Sequence, residues 1–179
     1  YQETLNTTLT NSETLFTKMN MPNSPLIELA NPKVITMTCI RNWLLPSLME
    51  FLSVNQSVEF PQKIFELGKV TLLDHAKETK TRDENWLTAA TAHPNANFSE
   101  IKSTLDSFMV NFGVEWQIKE SSNPSFIEGR VGSVIVKNTE IGFLGEINPV
   151  VLEAWKLENP TAAFEINLQT LINKKGVFS

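Results

Sequence analysis

Apolar residues recur at the spacing of an α-helix in two segments of the chain. The clearer segment covers residues 98–112, where Asn97 with Glu100 can form a capping box and Gly113 can end the helix. Its apolar positions fall on one helical face and are Ile101, Leu105, Phe108, Met109 and Phe112. The pattern predicts an amphipathic helix that packs this face against a core.

The second apolar segment covers a wider arc of its helix. It runs from Leu44 to Leu52 and has Pro46 in its first turns, where a missing N–H costs little. Its apolar positions are Leu44, Leu45, Leu48, Met49, Phe51 and Leu52. An arc this broad predicts burial on more than one side. We therefore expect part of this helix, together with the start of the chain, to contact a partner.

Alternating apolar and polar residues, with many β-branched and aromatic side chains, predict strands in most of the remaining chain. The predicted strands cover residues 2–9, 26–30, 64–73, 86–92, 115–120, 131–136, 141–147 and 162–168. The polar segment 75–85 is predicted to be a solvated loop, and residues 137–140 are predicted to close a β-hairpin. Short helices are expected at 11–19 and 150–155. Strand pairs linked by helices, without regular βαβ alternation, predict an α+β domain whose largely antiparallel sheet carries helices on one face.

Composition and charge narrow the class of protein. A length of 179 residues without linker or repeat predicts a single domain over residues 1–179, and the first residue, Tyr1, leads us to expect a domain excised from a longer chain. The net charge of −5 argues against nucleic acid as the chain's own main partner. A single cysteine, Cys39, excludes an internal disulfide and favours a reducing, cytoplasmic setting. No apolar run approaches the length of a membrane span.

The common routes to catalysis find no support in the sequence. The glycines are scattered and form no phosphate-binding loop, while His75 and His93 stand alone in polar segments without the spacing of metal ligands. No serine has the surroundings of a nucleophile elbow. We therefore assign no catalytic, cofactor-binding or metal-binding residue.

Glutamates lie inside otherwise apolar strands at Glu66, Glu146 and Glu165. They could converge for acid–base chemistry or cation binding, or each could occupy the solvent- or interface-facing side of its strand. The second interpretation is favoured, because nothing nearby in the sequence explains a shifted pKa. Arg130 lies at a strand entrance and could bind a carboxylate or phosphate, but a local ion pair with Glu128 or a strand glutamate is favoured.

Several blocks occur in an order and spacing that resemble one family. They are Tyr1-Gln2-Glu3, Leu9-Thr10-Asn11-Ser12-Glu13, Asn31-Pro32, Arg41, Leu44-Leu45-Pro46-Ser47-Leu48, Asn55, Phe65-Glu66-Leu67-Gly68-Lys69-Val70, Phe126 to Arg130, Gly142, Gly145-Glu146-Ile147-Asn148-Pro149 and Ala163-Phe164-Glu165-Ile166. Together they resemble the beta subunit of phenylalanine–tRNA ligase in its archaeal and eukaryotic form. The residues marked as structural or interface candidates are Arg41, Leu44, Pro46, Asn55, Glu66, Gly68, Arg130, Gly145, Glu146, Pro149 and Glu165.

The resemblance implies a domain like the core of class II aminoacyl-tRNA synthetases, catalytic-like but inactive. In such an enzyme the alpha chain carries the active site, and two alpha and two beta chains assemble. The whole enzyme uses ATP and magnesium and binds tRNA. An active class II core also needs arginines on its phosphate-holding strand and in a late glycine-rich block. Here no arginine lies between Arg41 and Arg82 or after Arg130, which favours inactivity.

A free-standing paralogue that acts as a small-molecule-binding protein or an enzyme is the alternative interpretation, because a fold alone does not determine function. The missing arginines favour the non-catalytic domain. Convergence of Glu66, Glu146 and Arg130 on one pocket would favour the alternative.

Overall fold

Two β-sheets organise the computed structural model, which describes residues 1–176. The strands are β1 (Gln2–Glu3), β2 (Leu9–Thr10), β3 (Ile27–Glu28), β4 (Cys39–Ile40), β5 (Gln62–Leu73), β6 (Thr81–Ala92), β7 (Gln117–Glu120), β8 (Phe126–Val136), β9 (Thr139–Ile147) and β10 (Thr161–Asn167). The large sheet has the order β1-β5-β6-β10-β9-β8-β7, and the small sheet has the order β2-β4-β3. β1 runs parallel to β5, whereas the other neighbouring strands are antiparallel. The predicted α+β class is therefore confirmed, with a mixed rather than purely antiparallel sheet.

The helices lie on both faces of the large sheet. They are α1 (Leu45–Val54), α2 (Phe98–Phe112), α3 (Pro149–Ala154) and α4 (Leu168–Lys175), and a π-helical turn covers Glu13–Thr17. One buried apolar cluster includes Leu48 of α1 and Ala163 of β10, and a second includes Leu105 of α2 and Phe164 of β10. The prediction of helices on one face is wrong, because β10 is buried on both of its faces and needs cover on each.

Helix α2 matches its predicted limits. The Asn97 side chain accepts a hydrogen bond from the Glu100 N–H at 3.0 Å, and Gly113 ends the helix in the left-handed region at φ +72°. The Glu100 carboxylate turns instead to Lys63 and His93. Only the Asn97 half of the predicted capping box is therefore formed.

Two predicted loop boundaries differ from the structure. β6 begins at Thr81, inside the segment predicted as a solvated loop. The residues at this end of β6 are polar, but they pair with β5 and so form a strand. The β8–β9 hairpin turns over two residues rather than four. These are Lys137 and Asn138, with φ values of 46° and 61°, the combination that a tight type I′ turn requires.

Several predicted strands are also shorter in the structure. The predicted strand 2–9 is divided between β1 and β2, and the predicted strand 26–30 reduces to β3. After β10 the chain enters α4, which the sequence analysis did not predict. Asn167 starts this helix by accepting a hydrogen bond from the Thr170 N–H at 2.8 Å.

Within residues 1–176, no helix has the length and apolar character needed to cross a membrane. Cys39 of β4 is a free, buried thiol. Burial raises the pKa of this thiol.

A buried charge cluster as the candidate functional site

Arg41 and Glu66 form a buried ion pair between the two sheets. Arg41 directly follows β4 and is 3% exposed, and Glu66 of β5 is 1% exposed. Nη1 of Arg41 lies 2.7 Å from Oε1 of Glu66, out of line for a hydrogen bond, so the contact is chiefly electrostatic. The other Glu66 oxygen accepts a hydrogen bond from Asn6 Nδ2 at 2.7 Å. Both carboxylate oxygens of Glu66 therefore have a partner.

Arg41 also joins the small sheet to the large one through its backbone. Its N–H donates to the carbonyl of Thr8 at 3.0 Å, and its carbonyl accepts from the N–H of Thr71 at 3.1 Å. Nε of its side chain donates to the carbonyl of Lys69 at 3.1 Å. One residue thus anchors the start of the chain, the small sheet and β5 to one another.

Glu165 of β10 caps the first turn of α1. Its oxygens each accept from the N–H of Leu44 at 3.1 Å, and Oε2 accepts from the N–H of Leu45 at 2.5 Å. Pro46 has no N–H, and the N–H of Ser47 donates to the carbonyl of Leu44. Every N–H at this helix start is satisfied although α1 has no side-chain cap of its own. A distant strand residue supplies the cap.

Burial raises the pKa of Glu165 to about 8. The N–H groups of Leu44 and Leu45 and the charge of Arg41 act in the opposite direction, whereas the charge of Glu66 raises this pKa further. Desolvation has the largest effect because the side chain is completely buried. Glu165 therefore holds its proton at pH values where an exposed glutamate is ionised.

Gly68 leaves the space that the charged groups occupy. A β-carbon at this position would lie 2.5 Å from Nη2 of Arg41 and 3.0 Å from both Oε1 of Glu66 and Cδ2 of Leu44. The first separation is shorter than real side-chain contacts and the other two are tighter than most, so these neighbours would have to move. In the Glu66-Leu67-Gly68 sequence, Glu66 therefore supplies the negative charge and Gly68 leaves room for the guanidinium of Arg41.

Many of the residues singled out in the sequence meet at this one place. The cluster consists of Arg41, Leu44, Pro46, Glu66, Gly68 and Glu165. Glu66 and Glu165 were expected on the solvent- or interface-facing sides of their strands, and that interpretation is wrong, because both are buried within the domain. The apolar neighbours of Glu165 on both sides, Phe164 and Ile166, were the available signal: a strand without a polar face has no solvent side.

Glu146 belongs to a separate site on the opposite sheet face. In the β9–β10 ladder Glu146 pairs with Ala162 and Phe143 pairs with Glu165, an odd offset that places the two glutamates on opposite faces. Oε2 of Glu146 lies 2.6 Å from Nη1 of Arg130, which confirms the predicted ion pair with a strand glutamate. Glu66, Glu146 and Arg130 thus do not converge on one pocket.

Glu146 also supports the start of α2. Its Oε1 accepts a hydrogen bond from the N–H of Phe98 at 2.9 Å. Gly145, beside it, is packed closely, since a β-carbon there would lie 2.7 Å from the Arg130 carbonyl oxygen. A glutamate on a strand therefore serves the first turn of a helix on each face of the sheet, Glu165 for α1 and Glu146 for α2.

The remaining sequence candidates have local structural contacts. Pro149 begins α3, and Asn148 before it accepts a hydrogen bond from the N–H of Val150 at 3.0 Å. Asn55 ends α1, where its Nδ2 donates to the carbonyl of Phe51 at 2.8 Å. Both asparagine side chains fix the ends of helices.

A surface ion cluster, which the sequence analysis did not predict, lies at the first turn of α2. Glu100 contacts Nζ of Lys63 at 2.7 Å and Nε2 of His93 at 2.6 Å. Burial raises the pKa of Glu100, but the hydrogen bonds from Lys63 and His93 outweigh it, so the pKa lies below its usual value. His93 stands alone in sequence and finds its partner only in the fold. Among residues 1–176 no three His, Cys, Asp or Glu side chains gather in a way that could hold a metal ion.

The expectation that α1 offers an apolar face to a partner is wrong for most of the helix. The buried positions at or within α1, each at most 2% exposed, are Leu44, Leu45, Leu48, Met49 and Leu52. The large sheet covers one side of α1, and Leu15, Phe16 and Met19 near the π-helical turn belong to the same apolar cluster on its other side. The wide apolar arc of α1 is therefore buried within the domain.

Residues 1–168 match the family model described as the phenylalanyl tRNA synthetase beta chain CLM domain. The chain is 49% identical over 177 residues to the phenylalanine–tRNA ligase beta subunit of Thermococcus sibiricus, covering 99% of this chain and 31% of that protein.

Two further relatives carry the same name. The Pyrococcus abyssi beta subunit is 49% identical over 170 residues, and that of Methanocella arvoryzae is 38% identical over 173 residues. Each alignment covers 95% of this chain and 31% of the relative. The chain thus spans about a third of the length of the curated relatives that it matches.

Proposed function

The chain belongs to the phenylalanyl-tRNA synthetase beta chain family, through its CLM domain, and from this membership we propose that it acts as a non-catalytic core domain of a phenylalanine–tRNA ligase beta subunit. In this proposal residues 1–179 form one domain. Its large sheet corresponds to the core of class II aminoacyl-tRNA synthetases, which are ligases of protein biosynthesis. The domain supports assembly with a catalytic alpha subunit that charges tRNA with phenylalanine.

One observation carries the non-catalytic role: each arginine of the chain is paired with a glutamate of the same domain. Arg41 binds Glu66 in the core, Arg82 contacts Glu84 at 2.7 Å, and Arg130 contacts Glu146 at 2.6 Å. Amino-acid activation is the attack of the amino-acid carboxylate on the α-phosphate of ATP with release of pyrophosphate, and its transition state needs positive groups aimed at phosphate oxygens. Guanidinium groups already neutralised within the domain are poorly suited to that task.

The proposed partner is the alpha subunit, in an assembly of two alpha and two beta chains. ATP and magnesium would then be used in the alpha site, and tRNA would bind to the assembled enzyme. Because α1 is buried, we place the contact surface at the start of the chain. There Tyr1 is 48% exposed and Leu5 is 87% exposed, and β1 is the edge strand of the large sheet.

Co-expression with candidate alpha subunits, followed by gel filtration, tests this function. We expect a complex with the unmodified chain and its loss in Leu5→Asp, since a charge would be desolvated at the contact. Val110→Asp is the matched control, because Val110 is 76% exposed and lies on α2. Circular dichroism checks that both variants fold. Failure of the unmodified chain to bind any alpha subunit would refute the proposed function, while an unaffected Leu5→Asp complex would refute only this surface.

A further inference from the structure

Glu165 is a fully buried acid that no cation contacts in the described structure. Its polar contacts are the N–H groups of Leu44 and Leu45. The nearest guanidinium, that of Arg41, is ion-paired with Glu66. The register of the sheet places Glu66, Thr88 and Glu165 side by side on three neighbouring strands, so the second acid lies on the same face.

The elements packed around Glu165 bring one positive and one further negative group toward it. The segment before α1 contributes Arg41, and β5 contributes Glu66. On β6 the residue opposite is Thr88, and the acid further along that face, Glu84, is bound to Arg82. β9 contributes Phe143 opposite Glu165. The acidic residue of α1 is Glu50, which is exposed.

Arg41, Glu66 and Glu165 together would carry a net charge of −1 in the core if all three were ionised. A buried charge without a counter-ion is expensive, and proteins usually relieve it by binding or losing a proton. Glu66 faces its counter-ion Arg41 with one oxygen and accepts a hydrogen bond from Asn6 with the other. Glu165 is the acid left without a counter-ion.

We propose that Glu165 is a proton-linked latch for helix α1: the folded domain takes up one proton at this carboxyl near neutral pH, and losing it opens the start of the helix to water. The neutral acid still accepts the hydrogen bonds of the first turn through its carbonyl oxygen. The charged form is buried and shares its sheet face with Glu66, across Thr88, and admitting water at Leu44 and Leu45 relieves both the desolvation and the repulsion between the two acids. The raised pKa of about 8 agrees with this arrangement.

The direction of the pH effect follows from this proton. The folded-state pKa of Glu165 lies above the ordinary value of 4.5, so its contribution to stability is complete below about pH 4.5 and is lost as the pH rises toward 8. Between these values the folded-to-unfolded ratio contributed by this group falls about tenfold for each pH unit. Exposed glutamates do not produce this dependence.

Urea unfolding of the full chain from pH 5 to 9 tests the latch. We expect the stability of the unmodified chain to fall over this range. In Glu165→Gln the folded-to-unfolded ratio should fall less steeply, by up to about a factor of ten less for each pH unit. Glu3→Gln, an exposed acid on the edge strand, serves as the control and should keep the slope of the unmodified chain. Parallel curves for the unmodified chain and Glu165→Gln would overturn the proposal.

A second measurement covers the case in which Glu165→Gln does not fold. Calorimetric unfolding of the unmodified chain at pH 7, in two buffers of different ionisation enthalpy, should show release of about one proton. Amide hydrogen exchange at Leu44 and Leu45 should accelerate above pH 8 beyond its intrinsic pH dependence. Proton release near zero would show that Glu165 is already ionised in the folded chain, and unchanged protection of these two amides would show that its ionisation does not open the helix; either result overturns the proposal.

Discussion

Gly68 lies directly against Arg41, so that a β-carbon at residue 68 would stand 2.5 Å from Nη2 of the guanidinium. The same β-carbon would be 3.0 Å from Oε1 of Glu66. Glycine is therefore needed here for close approach and not for an unusual backbone angle. The absence of a side chain two positions after Glu66 leaves the space in which the buried ion pair lies.

Gly68→Ala is expected to destabilise the chain by about 1–3 kcal/mol, because the added methyl group displaces a guanidinium that buried partners hold in place. Urea unfolding at neutral pH measures this loss. Gly132→Ala is the comparison variant, since its β-carbon would meet Cγ2 of Ile118 at the same 2.5 Å, but on the exposed edge strand β7 and away from any buried charge. An equal loss in the two variants would contradict this explanation.

Arg41→Met should cost about 3–5 kcal/mol, because it leaves the buried Glu66 carboxylate without a counter-ion. The double variant Arg41→Met with Glu66→Gln should lose less than the sum of the two single variants, since the pair disappears together. Denaturant unfolding of all four chains gives the coupling free energy. Additive losses would mean that the 2.7 Å contact contributes nothing specific.

The sequence predicted the helices and long strands well where the apolar period was regular. Helix α2 has its predicted limits because one clean apolar face, an asparagine cap and a terminal glycine all agree. β6 was predicted too short because residues 81–85 are polar, and pairing with β5 rather than burial makes them a strand. The short strands β2, β3 and β4 depend on one another across long loops, which local pattern does not record.

The candidate site was predicted only as separate residues. Arg41 and Glu66 are 25 positions apart and Glu165 lies on a different strand, so their meeting depends on sheet order. Strand alternation suggested an outward direction for the acids because it assumes one polar face. The apolar neighbours of Glu165 contradicted that assumption, and the fold resolves it by using the acid as a cap for α1.

Glu100 should make stability sensitive to acid. Its pKa lies below the ordinary 4.5, so its contribution is complete above about pH 4.5 and is lost as the pH falls through the lower folded-state value. Glu100→Gln should therefore flatten the acid limb of the stability curve measured by urea unfolding from pH 2.5 to 6. Glu128→Gln, at an exposed position, should leave that limb unchanged. An unaltered limb in Glu100→Gln would contradict the role of Lys63 and His93.

Arg130→Met should cost less than about 1 kcal/mol, although its 2.6 Å contact with Glu146 is as short as that of the buried pair. The Arg130 side chain is 60% exposed, so water replaces the lost guanidinium. Comparison with Arg41→Met in the same unfolding experiment separates the effect of burial from that of distance. A loss as large as that of Arg41→Met would show that Arg130 holds more than its local ion pair.

The chain alone should not form an aminoacyl-adenylate. Arg41, Arg82 and Arg130 are each neutralised by a glutamate of the domain, and adenylate formation requires positive groups free to follow the charge that develops on the α-phosphate. ATP–pyrophosphate exchange with phenylalanine measures this step, and we expect the rate of a sample without protein. The assembled complex with an alpha subunit should exchange, and Arg130→Met in this chain should leave that rate unchanged, because the exposed ion pair lies outside the proposed alpha site. Exchange by the isolated chain above the protein-free rate, abolished by substituting any one of its arginines, would show instead that the domain has a catalytic site of its own.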